Sequence, residues 1–192
     1  MSLNRNTLPR TVGSLGNDSR GKNPRMKPVK VSRRPEFSSA KVTAPCTTAN
    51  LGPGFDVFGL ALKAFHDTVQ LRLSPQGGVE LEVTGLDAAS LPTKPELNSA
   101  GLVAKNLLGK FEIETGVRVR LEKGIPVGKG LGSSAAGAAA MIVGLNHLLG
   151  LNLTKNELVE IAAQGEVASA GVAHADNVAA AVLGGFTFVQ SY

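Results

Sequence analysis

The feature that most limits how this chain can fold is a glycine-rich segment, IPVGKGLGSSAA, at residues 125–136. A strand is expected to end at Pro126, and the alanine-rich sequence from Ser133 to Leu149 predicts a buried helix with Gly150 as its C-cap. Because glycine adopts backbone angles that other residues avoid, the loop between them can turn its amides toward one point. The segment therefore predicts a strand, a tight loop and a helix in succession.

This loop does not match either of two common nucleotide-binding patterns. A Walker A loop, G-x-x-x-x-G-K-[ST], needs glycine at the sixth position, but counting from Gly124 places Lys129 there. The dinucleotide pattern, G-x-G-x-x-G, also fails, because in a count from Gly128 the third glycine, Gly132, comes one residue early. Any binding role must therefore be derived from the physics of the loop.

The physics of such a loop favours an anion. The first-turn N–H groups and the positive end of the helix dipole face the loop, and Lys129 would add a positive charge. The hydroxyls of Ser133 and Ser134 would either ligate Mg²⁺ or cap the helix. The alternative is a tight turn whose small residues only allow close packing, since glycine-rich turns are common.

The remaining sequence predicts an α+β layer rather than a regular alternation of strands and helices. The glycine pair in Gln76-Gly-Gly predicts a hairpin between two alternating segments, 65–73 and 79–83. A capping box starts the last predicted helix at Thr154. Further strands are predicted at residues 41–45, ending at Pro45, at 116–121 and at 184–190, and a helix at 98–110.

The net charge of +5 comes from the N-terminal part of the chain. Residues 1–35 contain nine of the 20 lysines and arginines against one acid, Asp18, so the remainder is slightly acidic. Few large apolar residues occur there, which predicts a basic, disordered tail over residues 1–39 and a folded domain over 40–192. A nucleic-acid partner is therefore not expected. The tail is either an extension, with Met26 as an alternative start, or an organellar transit peptide.

A single cysteine, Cys46, excludes an intrachain disulfide and a site with several cysteine ligands. It fits a reducing compartment, so we expect a cytoplasmic protein. No apolar run reaches the length of a membrane span, so no membrane partner is expected.

A second constrained segment, PCTTANLGPGFD, occupies residues 45–56. Its prolines and glycines would fix the Asn50 amide and the Asp56 carboxylate in space, as recognition of a small polar substrate requires. The alternative is an ordinary connection with turn-forming residues. The longer sequence APCTTANLGPGFDVFGLA, at residues 44–61, together with the Pro-x-x-x-Gly-Leu-Gly-Ser-Ser-Ala of residues 126–135, resembles the GHMP kinase superfamily. Within it, the first segment and HADNV at residues 174–178 are similar to homoserine kinases.

This resemblance covers the chain from about Lys41 onward, and it implies a ribosomal-protein-S5-domain-2-like N-terminal domain of a GHMP kinase. It implies ATP and Mg²⁺ as cofactors, L-homoserine as the substrate phosphorylated in threonine biosynthesis, and a homodimer for the full-length protein. It assigns the ATP phosphates to Pro126, Val127, Gly128, Lys129, Gly130, Leu131, Gly132, Ser133 and Ser134. It assigns the metal to Ser134 and Glu166, the adenosine to Asn98, and the substrate to Asn50, Asp56, His174 and Asn177. No general base is identified.

Several alternatives remain beside this resemblance. From the residues alone, a solvated helix carboxylate is the favoured interpretation of Glu166, and a structural histidine is the alternative for His174. Another GHMP kinase acting on a different small alcohol, or a non-catalytic S5-like module that binds nucleic acid, would share the fold. The family's C-terminal, ferredoxin-like half is expected to be absent, because the chain stops at Tyr192. We therefore expect an incomplete piece with little or no turnover by itself.

Overall fold

The computed structural model describes residues 10–11, 38–171 and 174–190 of the 192-residue chain. The predicted tail over residues 1–39 therefore lies almost entirely outside the described residues, and its disorder stays a prediction. Within it, Arg10–Thr11 forms a two-residue strand, β1, that pairs in parallel with the last strand of the sheet.

A six-stranded sheet forms one layer of the domain. The strands after β1 are β2 (Ser39–Ala49), β3 (Phe58–Ser74), β4 (Val79–Gly85), β5 (Gly116–Lys123) and β6 (Phe186–Phe188). Their order in the sheet is β1-β6-β3-β5-β4, and β2 also pairs with β3. The 17-residue β3 is the centre of this sheet, because it pairs antiparallel with β2, β5 and β6.

In the part of the chain that the structure describes, five α-helices form the second layer, on one face of the sheet. They are α1 (Ser99–Lys110), α2 (Ser133–Leu149), α3 (Lys155–Gly165), α4 (Val167–Ala170) and α5 (Asp176–Leu183). The central helix α2 contributes Met141, Ile142 and Leu145 to the core, where all three are fully buried. Alternate residues of the strands, such as Arg72 and Arg118, are exposed on the other face. The predicted α+β layer is confirmed.

The predicted hairpin between the segments now seen as β3 and β4 is wrong. β5 lies between them, antiparallel to β3 and parallel to β4. The turn after β3 crosses the start of β5 instead, where the Val117 N–H donates to the Gly78 carbonyl at 2.9 Å. An alternating pattern shows which side chains face the core, but it does not identify the neighbouring strand.

Several strand boundaries also differ from those predicted. β3 begins at Phe58 rather than at residue 65, β4 continues to Gly85, and β5 ends at Lys123, before the expected strand end at Pro126. β2 continues past Pro45, because the register shifts between Pro45 and Cys46 and such a bulge accommodates a residue without an N–H. The last strand is shorter than residues 184–190, because Gly184 and Gly185 have φ angles of 73° and 69° and end α5 there. Both ends of α2 lie where predicted, with Gly150 as a left-handed C-cap.

Candidate functional site

The glycine loop, residues 124–132, leads from the end of β5 into the start of α2. Gly128, Gly130 and Gly132 have φ angles of 69°, 69° and 62°, a region that side chains other than glycine rarely adopt. Gly132 is the N-cap of α2, and no side chain caps this helix end. The first-turn amides of a 17-residue helix are thus left for another acceptor, which is the arrangement that binds anions.

Neither serine of the predicted phosphate segment caps the helix. The Ser133 hydroxyl is buried and donates to the Ile125 carbonyl at 3.1 Å, which closes the base of the glycine loop. The Ser134 hydroxyl donates to Oε2 of Glu166 at 2.7 Å. The two hydroxyls therefore have different partners, and only Ser134 contacts an acidic group.

Glu166 is buried, with 7% of its surface exposed, so its alternative as a solvated helix carboxylate is wrong. It is the C-cap residue of α3, directly before α4. Burial raises the pKa of this carboxyl, and the hydrogen bond from Ser134 opposes that shift. A carboxylate and a hydroxyl are oxygen donors of the type that Mg²⁺ accepts, so the pair fits a magnesium site.

A buried ion pair lies under the glycine loop, and it was not predicted from the sequence. Lys123, 4% exposed, pairs with the fully buried Asp67, and its ammonium also donates to the Ser133 carbonyl at 2.7 Å. Burial lowers the pKa of Lys123, against the opposing effect of Asp67. The signal was present in β5, because Lys123 follows Val119 and Leu121 on the inward-facing side of an alternating strand.

Two further contacts hold the glycine loop against the rest of the domain. The Thr47 N–H of β2 donates to the Leu131 carbonyl at 3.0 Å, and the Val127 N–H donates to Oδ2 of Asp87 at 3.2 Å. A Cβ on Gly132 would meet Oγ1 of Thr47 at 1.9 Å. The loop therefore packs directly on β2.

Three of the four predicted substrate residues contact one another through Asp56, whereas Asn177 contacts Thr47. Asn177, at the start of α5, accepts a 2.8 Å hydrogen bond at Oδ1 from the Thr47 hydroxyl. Asn50 accepts one at Oδ1 from the Asp56 N–H at 3.0 Å, and both of these residues have positive φ angles. Nδ1 of His174 lies 3.5 Å from Oδ1 of Asp56, and both side chains are largely exposed.

A cleft of about 640 Å³ joins most of these groups, a size suited to a small-molecule ligand. Asn98 lines it, although its Oδ1 caps α1 by accepting from the Ala100 and Gly101 amides. Asp56, His174 and Lys129 do not line the cleft. A larger, open groove of about 790 Å³ lies on the exposed sheet face, away from the glycine loop. The predicted residues that line the cleft are Asn50, Asn98, Pro126, Val127, Gly128, Gly130, Leu131, Gly132, Ser133, Ser134, Glu166 and Asn177.

Comparison with known proteins relates this part of the chain to a protein family. Residues 98–185, which contain the glycine loop, Glu166 and Asn177, match the model of the GHMP kinases N terminal domain. This stretch is a GHMP kinase N-terminal domain. The GHMP kinase domain and the strands before it are similar to the homoserine kinase of Methanococcus vannielii, with 47% identity over 81% of this chain and 52% of the relative. The homoserine kinase of Thermoplasma volcanium is 43% identical over 78% of this chain and 46% of its own length.

Solved structures agree with this assignment of the GHMP kinase fold. The homoserine kinase from Cytophaga hutchinsonii superposes with a TM-score of 0.77 at 41% identity, over 83% of this chain and 51% of that one. The mevalonate kinase from L. major superposes with a TM-score of 0.64 at 19% identity, over 80% of this chain and 50% of that one, and this likeness shows the fold alone. The chain spans about half the length of the relatives that it matches.

Two features of the described residues concern metals and membranes. No group of three or more His, Cys, Asp and Glu side chains among them is arranged to bind a metal ion. None of the helices in this part of the chain has the length and hydropathy needed to cross a bilayer.

Proposed function

We propose that this domain is the nucleotide-binding part of a homoserine kinase, which transfers a phosphoryl group from ATP to the hydroxyl of L-homoserine. The product would be O-phospho-L-homoserine, an intermediate of threonine biosynthesis. The observation that carries this proposal is the uncapped start of α2, which lies beside the hydrogen-bonded pair of Ser134 and the buried Glu166. The 43–47% identity to homoserine kinases supports the choice of substrate.

The glycine loop and the first turn of α2 would bind the phosphates of ATP. Their backbone amides act as donors, and the helix dipole adds positive potential at the same end. Asn98 lines the cleft at the start of α1, beside Leu97 and Pro92, and would lie near the adenosine. Phosphoryl transfer depends mainly on in-line positioning and charge stabilisation, which such a rigid set of donors provides.

Ser134 and Glu166 would hold Mg²⁺ together with phosphate oxygens. Magnesium in kinases is commonly bound by one or two protein oxygens, with substrate phosphates and water completing its shell. When bound, ATP would supply the transferable phosphoryl group, and Mg²⁺ would offset the negative charge of its phosphates. A cation here would also offset the burial that raises the pKa of Glu166.

Homoserine would bind on the side of the cleft formed by Asn50 and Asn177. The two amides suit the polar ends of an amino-acid substrate, and the Thr47 hydroxyl fixes the orientation of the Asn177 amide. The Asp56 carboxylate would attract the substrate ammonium, with His174 beside it. We further propose a cytoplasmic homodimer, from the single cysteine and the family resemblance.

Titration of the 192-residue chain with ATP, with and without Mg²⁺, tests the nucleotide site. We expect binding that Mg²⁺ strengthens, and we expect Ser134→Ala and Glu166→Gln to remove the strengthening by Mg²⁺ while the chain stays folded. Glu80→Gln is the matched control, because Glu80 is an exposed carboxylate on the opposite face of the sheet. A folded chain that binds no nucleotide at millimolar concentration would contradict the proposal.

Ligand-observed NMR with a panel of small alcohols tests the substrate. We expect L-homoserine to bind in preference to mevalonate and L-serine, and Asn177→Ala to reduce that binding. Preference for another alcohol on the panel would replace homoserine by a different substrate of the same superfamily.

A further inference from the structure

The buried pair of Asp67 and Lys123 has no role in the function proposed so far. Asp67 lies on the inward-facing side of β3 and is fully buried, and Lys123 is the last residue of β5. Burying two opposite charges has a desolvation cost that their attraction often does not exceed, so such a pair is weak evidence for a stabilising role. The position of the pair under the glycine loop indicates a different role.

At the end of β5, the side chain of Asp67 accepts the backbone hydrogen bonds that a neighbouring strand would otherwise accept. The ladder between β3 and β5 stops at Thr68 and Glu122. Beyond it, Oδ1 of Asp67 accepts the Gly124 and Ile125 amides at 2.9 and 3.0 Å, and Oδ2 accepts the Lys123 ammonium. One carboxylate therefore binds three consecutive residues, which are the last residue of β5 and the first two residues of the glycine loop.

The other end of the glycine loop is bound to two of these three residues. The Lys123 ammonium donates to the Ser133 carbonyl at 2.7 Å, and the Ser133 hydroxyl donates to the Ile125 carbonyl at 3.1 Å. The base of the loop is thus a closed ring of hydrogen bonds between the end of β5 and the start of α2. Asp67 connects this ring to the centre of the sheet.

We propose that Asp67 is a positioning residue for the nucleotide phosphates, acting through Lys123 and the base of the glycine loop. It keeps the loop in its binding conformation before the nucleotide arrives, so that less conformational freedom is lost on binding. This inference rests on the proposed nucleotide site. The proposed role of Asp67 concerns the phosphates only, because Asp67 contacts the base of the glycine loop and does not line the cleft.

The test compares ADP with adenosine, which lacks the phosphates, as ligands of the full chain in NMR titrations. For Asp67→Asn we expect ADP affinity to fall about tenfold or more, as is typical when a supporting contact is lost, with adenosine affinity unchanged. A merely structural role would leave the ratio of the two affinities as in the wild type. A folded Asp67→Asn that keeps the wild-type preference for ADP would overturn the inference.

The ADP preference of the wild type distinguishes a failure of this inference from a failure of the proposed function. If the wild type does not prefer ADP to adenosine, the nucleotide site itself is wrong; a preference lost only in the variant supports the role of Asp67. The exposed control Glu80→Gln should keep the preference.

The unpaired Lys123 could prevent Asp67→Asn from folding, so the double variant Asp67→Asn/Lys123→Met removes both charges. If it folds, it too should lose the preference for ADP, and a retained preference would again overturn the inference. Hydrogen exchange of the wild type without nucleotide needs no variant. The Gly124 and Ile125 amides should exchange as slowly as those of β5, and exchange as fast as at Gly128 and Lys129 would refute a preformed base.

Discussion

At the scale of single residues, Gly132 lies so close to Thr47 that there is no room for a side chain between them. Gly132 combines a φ of 62° with a position where a Cβ would lie 1.9 Å from Oγ1 of Thr47 and 3.1 Å from Oδ1 of Asn177. Any other residue there would both strain the backbone and push the two side chains apart. The glycine thus allows the glycine loop to pack closely against Thr47 and Asn177, which lie on the proposed substrate side of the cleft.

We expect Gly132→Ala to lower both stability and ADP affinity. The left-handed backbone alone costs a non-glycine residue about 1–2 kcal/mol, and the clash with Thr47 adds to that. Gly150→Ala is the matched control, because Gly150 has a φ of 61° at the other end of α2 and nothing near its Cβ position. Thermal unfolding and ADP titration of both variants measure the difference. Equal effects of the two substitutions on ADP binding would show that the contact with Thr47 is unimportant.

Thr47→Val should weaken homoserine binding with little change in ADP binding. The valine keeps the shape of the side chain but removes the hydroxyl that orients the Asn177 amide, and a buried hydrogen bond of this kind contributes about 1 kcal/mol. The backbone contact from Thr47 to Leu131 is unaffected by the change. Thr43→Val on the same strand removes a hydroxyl that pairs with Thr68 instead, and it serves as the control. Ligand-observed NMR compares the two, and equal homoserine affinity would argue against an orienting role.

At the scale of elements, local chemistry determined what could be predicted. Both ends of α2 and the start of α3 lie at the predicted residues, because a glycine C-cap and a capping box are signals within a few neighbouring residues. The partner of β4 was predicted wrongly, because it is β5, which the chain reaches only after α1. The Asp67–Lys123 pair joins β3 to β5 across 56 residues, and only the inward position of Lys123 indicated it.

The capping box of α3 makes a prediction that depends on pH. The Thr154 hydroxyl and backbone donate to Glu157 and lower its pKa below the ordinary value of 4.5. A lowered carboxyl pKa stabilises the fold above the ordinary pKa, and this contribution is lost as the pH falls through the lower, folded value. Thr154→Ala should therefore cost about 1 kcal/mol at pH 7 and progressively less below pH 4.5.

Chemical denaturation across this pH range measures the loss. Thr154→Ser keeps a hydroxyl and should stay close to the wild type. A loss for Thr154→Ala that is the same at pH 7 and at pH 3 would show that the Glu157 charge plays no part.

At the scale of the whole molecule, the sheet separates two faces with different properties. The helical face contains the core and the cleft, while the other face has exposed charges such as the pair of Arg118 and Glu80. An exposed pair of this kind contributes only about 0–1 kcal/mol, so substitutions on the open face should barely change the folding of the domain. Ligands of the cleft, in contrast, should stabilise the whole domain.

MgADP should raise the unfolding temperature of the 192-residue chain. A ligand at about 100 times its Kd stabilises the folded state by about 2.7 kcal/mol if it does not bind the unfolded chain. Differential scanning calorimetry with MgADP, with ADP and EDTA, and with adenosine measures the effect, and the largest shift is expected for MgADP. An unfolding temperature that does not change with saturating MgADP would mean that the cleft does not bind it.

Thr47 contacts both sides of the cleft, since its N–H holds the Leu131 carbonyl and its hydroxyl holds Asn177. The two ligands would consequently share one wall, and whichever enters first would immobilise part of the other's site. Their binding would then be cooperative, and thermodynamic reciprocity requires the enhancement to be the same in both directions. One threonine would thus connect the recognition of the phosphate donor with that of the acceptor.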